Sequence, residues 1–141
     1  MKTGYIDSSF LLSIIFEDNN YVKSVDIWNV LDVFLGSILL EIECRINVYK
    51  YLIIQMKDKI LFKEKEEQLT ELLKNINKKN IDEEISLEIQ NHEKLKRLKS
   101  LDSIHLATAN IFNKLINEKI LVCSYDKNMI MISKEMGMNI I

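Results

Sequence analysis

The segment Val33-Phe34-Leu35-Gly36-Ser37-Ile38-Leu39-Leu40 decides the predicted fold. Its first three residues have the length and apolar character of a short buried strand, and Gly36-Ser37 ends that strand with residues that favour a turn and a helix cap. The residues from Ile38 to about Met56 then predict a helix that is apolar nearly all round, so we expect it to be largely buried. A strand followed at once by a helix is the repeating unit of an α/β fold.

Strands and helices alternate along the rest of the chain. The further predicted elements are a strand at Tyr5-Ile6, a helix from near Phe10 capped by Ser8 or Ser9, helices over Tyr21–Val30, Glu83–Leu98, Asp102–Asn117 and Lys127–Met136 with Gly137 as the stop, and strands at Ile120–Cys123 and Asn139–Ile141. This pattern favours a short, mostly parallel central sheet with helices on both faces. We predict a single α/β domain over residues 1–141.

Residues 57–79 differ from the rest of the chain, because their leucines are set among lysines and glutamates. Such spacing is typical of an exposed amphipathic helix, and here we expect an exposed amphipathic helical region. An apolar stripe on such a region is suited to contact with another protein.

Composition excludes several classes of protein. The formal net charge of −2 argues against a protein that coats nucleic acid, although a local basic groove remains compatible with it. Cys44 and Cys123 have no metal-binding spacing, so we expect reduced thiols and no zinc site. The apolar run from Phe10 to Phe16 is too short to span a bilayer and lacks the features of a signal peptide, so we expect a cytoplasmic protein without membrane contact.

Four acidic residues lie at the edges of predicted apolar segments. Asp7 and Asp126 follow predicted strands, and ligands in open α/β sheets bind beyond the carboxyl ends of the strands. Asp102 opens a predicted helix, where a carboxylate is also favoured as a cap. Glu41 lies inside the helix that follows Ser37, where an ion pair with Arg45 is an alternative role. Asp126 has the alternative role of a turn residue.

Glu41 is preferred over Glu43 on the basis of helical periodicity. Glu43 shares a stripe with Asn47 and Lys50 that predicts a solvated face, whereas Glu41 projects from a mostly apolar surface. Two strand-end aspartates would converge without an opposing cation from the sequence, and buried carboxylates need one. Oxygen ligands of this kind suit Mg²⁺, with Mn²⁺ as a substitute.

The chain resembles a PIN domain, and more closely the VapC-type toxins of toxin–antitoxin pairs. The resemblance rests on Tyr5-Ile6-Asp7-Ser8-Ser9, on Leu40-Glu41 with Arg45, on Asp102-Ser103-Ile104-His105-Leu106-Ala107 and on Ser124-Tyr125-Asp126. It implies that Asp7, Glu41, Asp102 and Asp126 bind the metal, with Ser9 and Ser124 supporting them. His105 also matches a family position, and a histidine packed in the core is the alternative.

The resemblance implies a three-layer PIN-like fold and a Mg²⁺-dependent endoribonuclease that acts as a toxin. The implied partners are RNA, a cognate antitoxin protein and a second copy of the chain in a homodimer. The basic side chains before Asp102 are the predicted contacts for the RNA backbone, or else a solvated helix end: Lys94, Lys96, Arg97 and Lys99.

Two other functions are compatible with the pattern. The first is a PIN-like module that binds RNA or protein without cleaving it, which the presence of all four acids disfavours. The second is a phosphotransfer domain of the response-regulator receiver type. Receiver domains carry adjacent acids after the first strand, whereas Asp7 is followed by two serines, and no central phosphoacceptor aspartate is evident here.

Overall fold

A five-stranded parallel sheet forms the centre of the protein in a computed structural model that describes residues 1–141. The strands are β1 (Thr3–Ile6), β2 (Val33–Ser37), β3 (Ile76–Lys79), β4 (Leu121–Cys123) and β5 (Asn139–Ile140). Their order across the sheet is β3-β2-β1-β4-β5, and every neighbouring pair is parallel. The predicted α/β class with a parallel sheet between helices is therefore confirmed.

Helices cover both faces of the sheet. They are α1 (Ser8–Phe16), α2 (Tyr21–Val30), α3 (Ile38–Tyr49), α4 (Lys59–Lys74), α5 (Glu83–Asn91), α6 (Ser100–Ile116) and α7 (Lys127–Glu135), with a π-helical segment at Lys50–Gln55 and a 3₁₀ turn at Glu93–Arg97. Successive strand residues point to opposite faces, so Tyr5 and Ile6 belong to two separate apolar clusters. No helix combines the length and apolar character that crossing a bilayer requires.

The central strand β1 marks the point where the strand order changes direction. Thr3, Gly4 and Tyr5 pair with β2 on one side, and Gly4, Tyr5 and Ile6 pair with β4 on the other. The chain therefore leaves the carboxyl ends of β1 and β4 side by side. This is the position at which open α/β sheets bind ligands, and it places Asp7 next to Ser124.

Several predicted elements differ from the structure. The region 57–79 contains β3 after α4, and the helix predicted over Glu83–Leu98 is interrupted at His92, whose backbone is extended. The helix predicted from Ile38 to Met56 is α-helical only to Tyr49, and it is not largely buried, because only one side of it packs on the core. The first helix has Asp7 at its N-cap position, so the prediction of a cap by Ser8 or Ser9 is wrong.

Candidate metal centre

Asp7 is the central acid of the site, and its side chain is held in one orientation. The residue is almost fully buried after β1, and its Oδ2 accepts hydrogen bonds of 2.7 Å from the hydroxyls of both Ser9 and Ser124. Its main-chain N–H donates to the carbonyl of Cys123 on β4. Both serines bind Oδ2, which leaves Oδ1 free of them, and Oδ1 lies 3.7 Å from Nε2 of His105.

The two serines connect the segments that carry Asp7 and Asp126. Ser9 Oγ accepts a hydrogen bond from the main-chain N–H of Tyr125 at 2.9 Å, and Ser124 Oγ accepts one from that of Asp126 at 3.1 Å. Each hydroxyl therefore donates its single proton to Asp7 and accepts from the loop after β4. Both serines thus orient Asp7, and their support of a metal site stays a prediction.

Glu43 and His105 complete the innermost part of the site. His105 is fully buried on α6, and its Nε2 lies 2.5 Å from Glu43 Oε1 and 3.7 Å from Asp7 Oδ1. Its Nδ1 is hydrogen-bonded to the hydroxyl of Tyr5 at 2.9 Å. One ligand atom each from Asp7, Glu43 and His105 lies within 4.8 Å of the others, which is close enough for a common cation.

Glu41 does not reach this cluster, and the preference for Glu41 over Glu43 is corrected by the structure. Glu41 Oε1 forms a 3.4 Å ion pair with Arg45, whose guanidinium also contacts Thr70 of α4. The side of α3 that faces the site continues from Leu39, which is buried one turn before Glu43. Helical periodicity counted from Leu39 would have identified Glu43. It favoured Glu41 because the exposed isoleucines of α3 made a solvent-facing side of the helix look buried.

Asp102 and Asp126 are outside the group whose ligand atoms lie within 4.8 Å of one another, but they interact with it electrostatically. Asp126 is the N-cap of α7, and its Oδ1 accepts from the N–H of Met129 at 2.8 Å. Asp102 is in the first turn of α6 but does not cap it, because Lys99 occupies the N-cap position. Burial raises the pKa of Asp102, and the negative charges of Asp126, Asp7 and Glu43 raise it further. Asp102 therefore shares one electrostatic environment with these three acids.

Two of the four basic candidates for RNA contact, Lys94 and Arg97, bind Glu135 instead of facing the acids. Lys94 Nζ donates to the carbonyl of Glu135, and Arg97 forms a 3.2 Å ion pair with the Glu135 carboxylate. Glu135 ends α7, whereas Asp126 precedes it, and a nine-residue helix is about 13 Å long. Lys94 and Arg97 thus hold the far end of α7. Lys96 and Lys99 are exposed close to the start of α6, and their contact with RNA stays a prediction.

The residues present fit a hard divalent cation. Asp7, Glu43, Asp102 and Asp126 supply oxygen donors, and no lysine or arginine forms an ion pair with any of them. Two of them, Asp7 and Glu43, lie beside the imidazole of His105. Carboxylates gathered without cationic side chains are stabilised by a bound metal, and oxygen donors are those that magnesium, calcium and manganese favour.

The protonation of His105 predicts a pH dependence of stability in the metal-free protein. Burial lowers the pKa of His105, but the hydrogen bond that its imidazole donates to the Glu43 carboxylate and the charge of Asp7 outweigh burial, so the pKa lies above its ordinary value of 6.5. The protonated form therefore stabilises the fold below about pH 6.5, and this contribution is lost as the pH rises through the folded-state pKa. We expect the unfolding free energy, measured by urea titration in EDTA, to fall over that range.

The His105→Gln variant is the control for this pH dependence, because glutamine cannot titrate. Its unfolding free energy should be lower at pH 6 and should change less between about pH 6 and pH 8 than that of the wild type. Parallel profiles for the two proteins would contradict the assignment of the effect to His105.

Comparison with known proteins gives the family of the chain. The family model described as PIN domain matches residues 4–135, which is nearly the whole length and includes every acid of the cluster. A search of curated proteins gives no match. PIN domains are generally metal-dependent nucleases, in agreement with a cluster of carboxylates at the carboxyl ends of parallel strands. The chain belongs to the PIN domain family.

Proposed function

We propose that this protein is a Mg²⁺-dependent endoribonuclease and the toxin of a toxin–antitoxin pair. The observation that carries the proposal is the gathering of Asp7, Glu43, Asp102 and Asp126 at the switch point of the sheet without a lysine or arginine partner. A non-catalytic module has no need for such a cluster, whose repulsion destabilises the metal-free fold.

The side chains of the site would have separate roles in phosphodiester hydrolysis. Asp7 Oδ1 and the carboxylates of Glu43, Asp102 and Asp126 would hold Mg²⁺, which supplies charge stabilisation of the transition state and lowers the pKa of water. Ser9 and Ser124 keep Asp7 in place so that only Oδ1 is directed to the cation.

Binding of Mg²⁺ or Mn²⁺ is expected to raise the thermal stability of the protein. A ligand bound only by the folded state stabilises it, by about 2.7 kcal/mol at 100 times its Kd. The gain should shrink as the pH falls, because the raised pKa of Asp102 means that this carboxylate must lose a proton before it can bind the cation. Differential scanning fluorimetry at several pH values would measure it, and an unchanged Tm in millimolar Mg²⁺ or Mn²⁺ would count against the site.

The ribonuclease activity is tested by induced expression and by direct cleavage. Expression of the wild-type protein should arrest growth, and sequencing of RNA 5′ ends should show new ends at defined positions. Purified protein should cleave RNA in Mg²⁺ and leave it intact in EDTA. A small DNA-binding protein encoded in the neighbouring reading frame would support the toxin–antitoxin role, and absence of both growth arrest and cleavage would contradict the proposal.

The apolar surface that supports a protein partner lies on α3. Ile42, Ile46 and Tyr49 follow one another at helical spacing and are 47%, 47% and 48% exposed. In the predicted region 57–79, by contrast, Leu69, Leu73 and Ile76 are buried against the core. We propose that the α3 stripe is the homodimer face. In a twofold dimer the same surface of both copies is in contact, so the apolar stripe of one copy would pack on the stripe of the other.

The Ile46→Glu variant should weaken self-association, because it places a charge in the middle of the α3 stripe. We expect a loss of at least tenfold in dimer affinity, measured by analytical ultracentrifugation, from burial of an unpaired charge. Val22→Glu is the matched control, since Val22 is 70% exposed on α2 and lies outside the stripe. Equal association of both variants and the wild type would argue that another surface forms the dimer.

A further inference from the structure

Tyr125 is an aromatic residue held rigidly beside the acids. It lies between Ser124 and Asp126, and its main-chain N–H is bound by Ser9 Oγ, the same hydroxyl that donates to Asp7. Its phenol oxygen is 2.7 Å from Ser24 Oγ, which is in turn 2.5 Å from Ser13 Oγ. The ring is therefore fixed at both ends.

The ring is supported from the core and remains partly open to solvent. Phe10, which is buried, stacks with it at 6.1 Å between centroids and 17° between planes. Lys23 of α2 is exposed, and its Nζ lies over the Tyr125 ring, 5.7 Å from the centroid. Lys23 forms neither an ion pair nor a hydrogen bond through its side chain to another residue. An unpaired lysine and a fixed aromatic ring thus lie together, and the residue that carries the ring is the chain neighbour of Asp126.

We propose that Tyr125 and Lys23 form a nucleotide-binding subsite next to the metal centre. An unstacked base of single-stranded RNA stacks on the Tyr125 ring, and Lys23 moves from the ring to an adjoining phosphate. This inference rests on the proposed ribonuclease function and names the residues that position its substrate.

Two physical reasons favour this pair. Four carboxylates repel the RNA backbone, so a cation close to them lowers the cost of bringing a phosphate to the site. Single-stranded RNA is recognised largely by stacking of splayed bases on aromatic side chains, and a ring that is already fixed loses little entropy when a base stacks on it. The Trp28 ring, by comparison, stacks on the Phe34 ring with 4.1 Å between centroids, so that face of the indole is not open to a base.

The test measures binding of a fluorescein-labelled, short single-stranded RNA by anisotropy, in the Asp7→Asn background so that the RNA stays intact. Tyr125→Leu keeps apolar contact with Phe10 but removes the platform, and it should weaken binding by about tenfold. Tyr125→Phe should retain most of the affinity that Tyr125→Leu loses. Lys23→Gln should weaken binding and lower the slope of log Kd against log salt by about one, whereas Lys119→Gln, at an exposed lysine between α6 and β4, is the control.

A scan with one abasic nucleotide separates stacking from general loss of structure. In the protein with Tyr125, an abasic site at one position should weaken RNA binding by about the same factor as Tyr125→Leu does. In the Tyr125→Leu variant, the same abasic site should not weaken binding further. If every abasic RNA affects both proteins equally, or if Lys23→Gln behaves like Lys119→Gln, the proposal of the subsite is wrong.

Cleavage assays of the same variants with Asp7 restored distinguish the two proposals. A wild-type protein that binds RNA without cleaving it contradicts the proposed function alone. An unchanged kcat/KM in both Tyr125→Leu and Lys23→Gln contradicts the subsite alone.

Discussion

Asp7→Asn should reduce metal-dependent RNA cleavage by about 10²–10⁴-fold, the factor that corresponds to several kcal/mol of lost charge stabilisation. The reason lies in the two oxygens of the carboxylate. Oδ2 accepts from two serine hydroxyls and Oδ1 faces His105 and is free to bind a cation, whereas an amide has only one oxygen for both tasks. The variant should be measured by initial rates on purified protein in Mg²⁺, and its expression should no longer arrest growth.

Asp26→Asn is the matched control for Asp7→Asn, since Asp26 is exposed on α2 and makes no side-chain hydrogen bond. It should retain the wild-type rate and the Mg²⁺-dependent rise in Tm, and Asp7→Asn should lose both. If Asp7→Asn cleaves RNA and arrests growth as the wild type does, the metal centre is not the source of the activity.

Glu43→Gln should reduce cleavage by roughly 100-fold, and Glu41→Gln should reduce it by no more than about twofold. Glu43 lies beside Nε2 of His105, as Asp7 does, and adds negative charge to the metal centre. The neutral amide of the glutamine variant would weaken cation binding and would remove the carboxylate partner of the imidazole. Glu41 pairs instead with Arg45, which is 38% exposed in its side chain, and such surface ion pairs contribute little to stability.

The two glutamates form a controlled pair, because the same substitution is made two residues apart on one helix. Mg²⁺ titration followed by thermal shift should give weaker binding for Glu43→Gln only, and circular dichroism should show both variants folded. A loss of activity in Glu41→Gln with an active Glu43→Gln would mean that α3 turns differently toward the site.

The acids at the strand ends could be predicted because their position follows from local sequence. Asp7 comes directly after an apolar strand, and Asp126 follows another by three residues, and parallel strands bring their carboxyl ends to one edge. The serines Ser9 and Ser124 were expected only from the resemblance to PIN domains, which places hydroxyls next to those acids. The strand β3 could not be predicted, because Asn77, Lys78 and Lys79 have no apolar alternation. It is a strand because its main chain pairs with β2 at the sheet edge.

The sequence by itself determined the alternation of strands and helices, the parallel sheet and the place of Asp7 and Asp126, because these depend on residue patterns within single elements. Only the tertiary structure decided between Glu41 and Glu43, because that choice depends on how α3 is rotated against β1 and α6. It also decided that His105 lies between Tyr5 and Glu43, in contacts that join residues 100 and 62 positions apart. Such contacts are fixed by the packing of helices on the sheet, which no local pattern records.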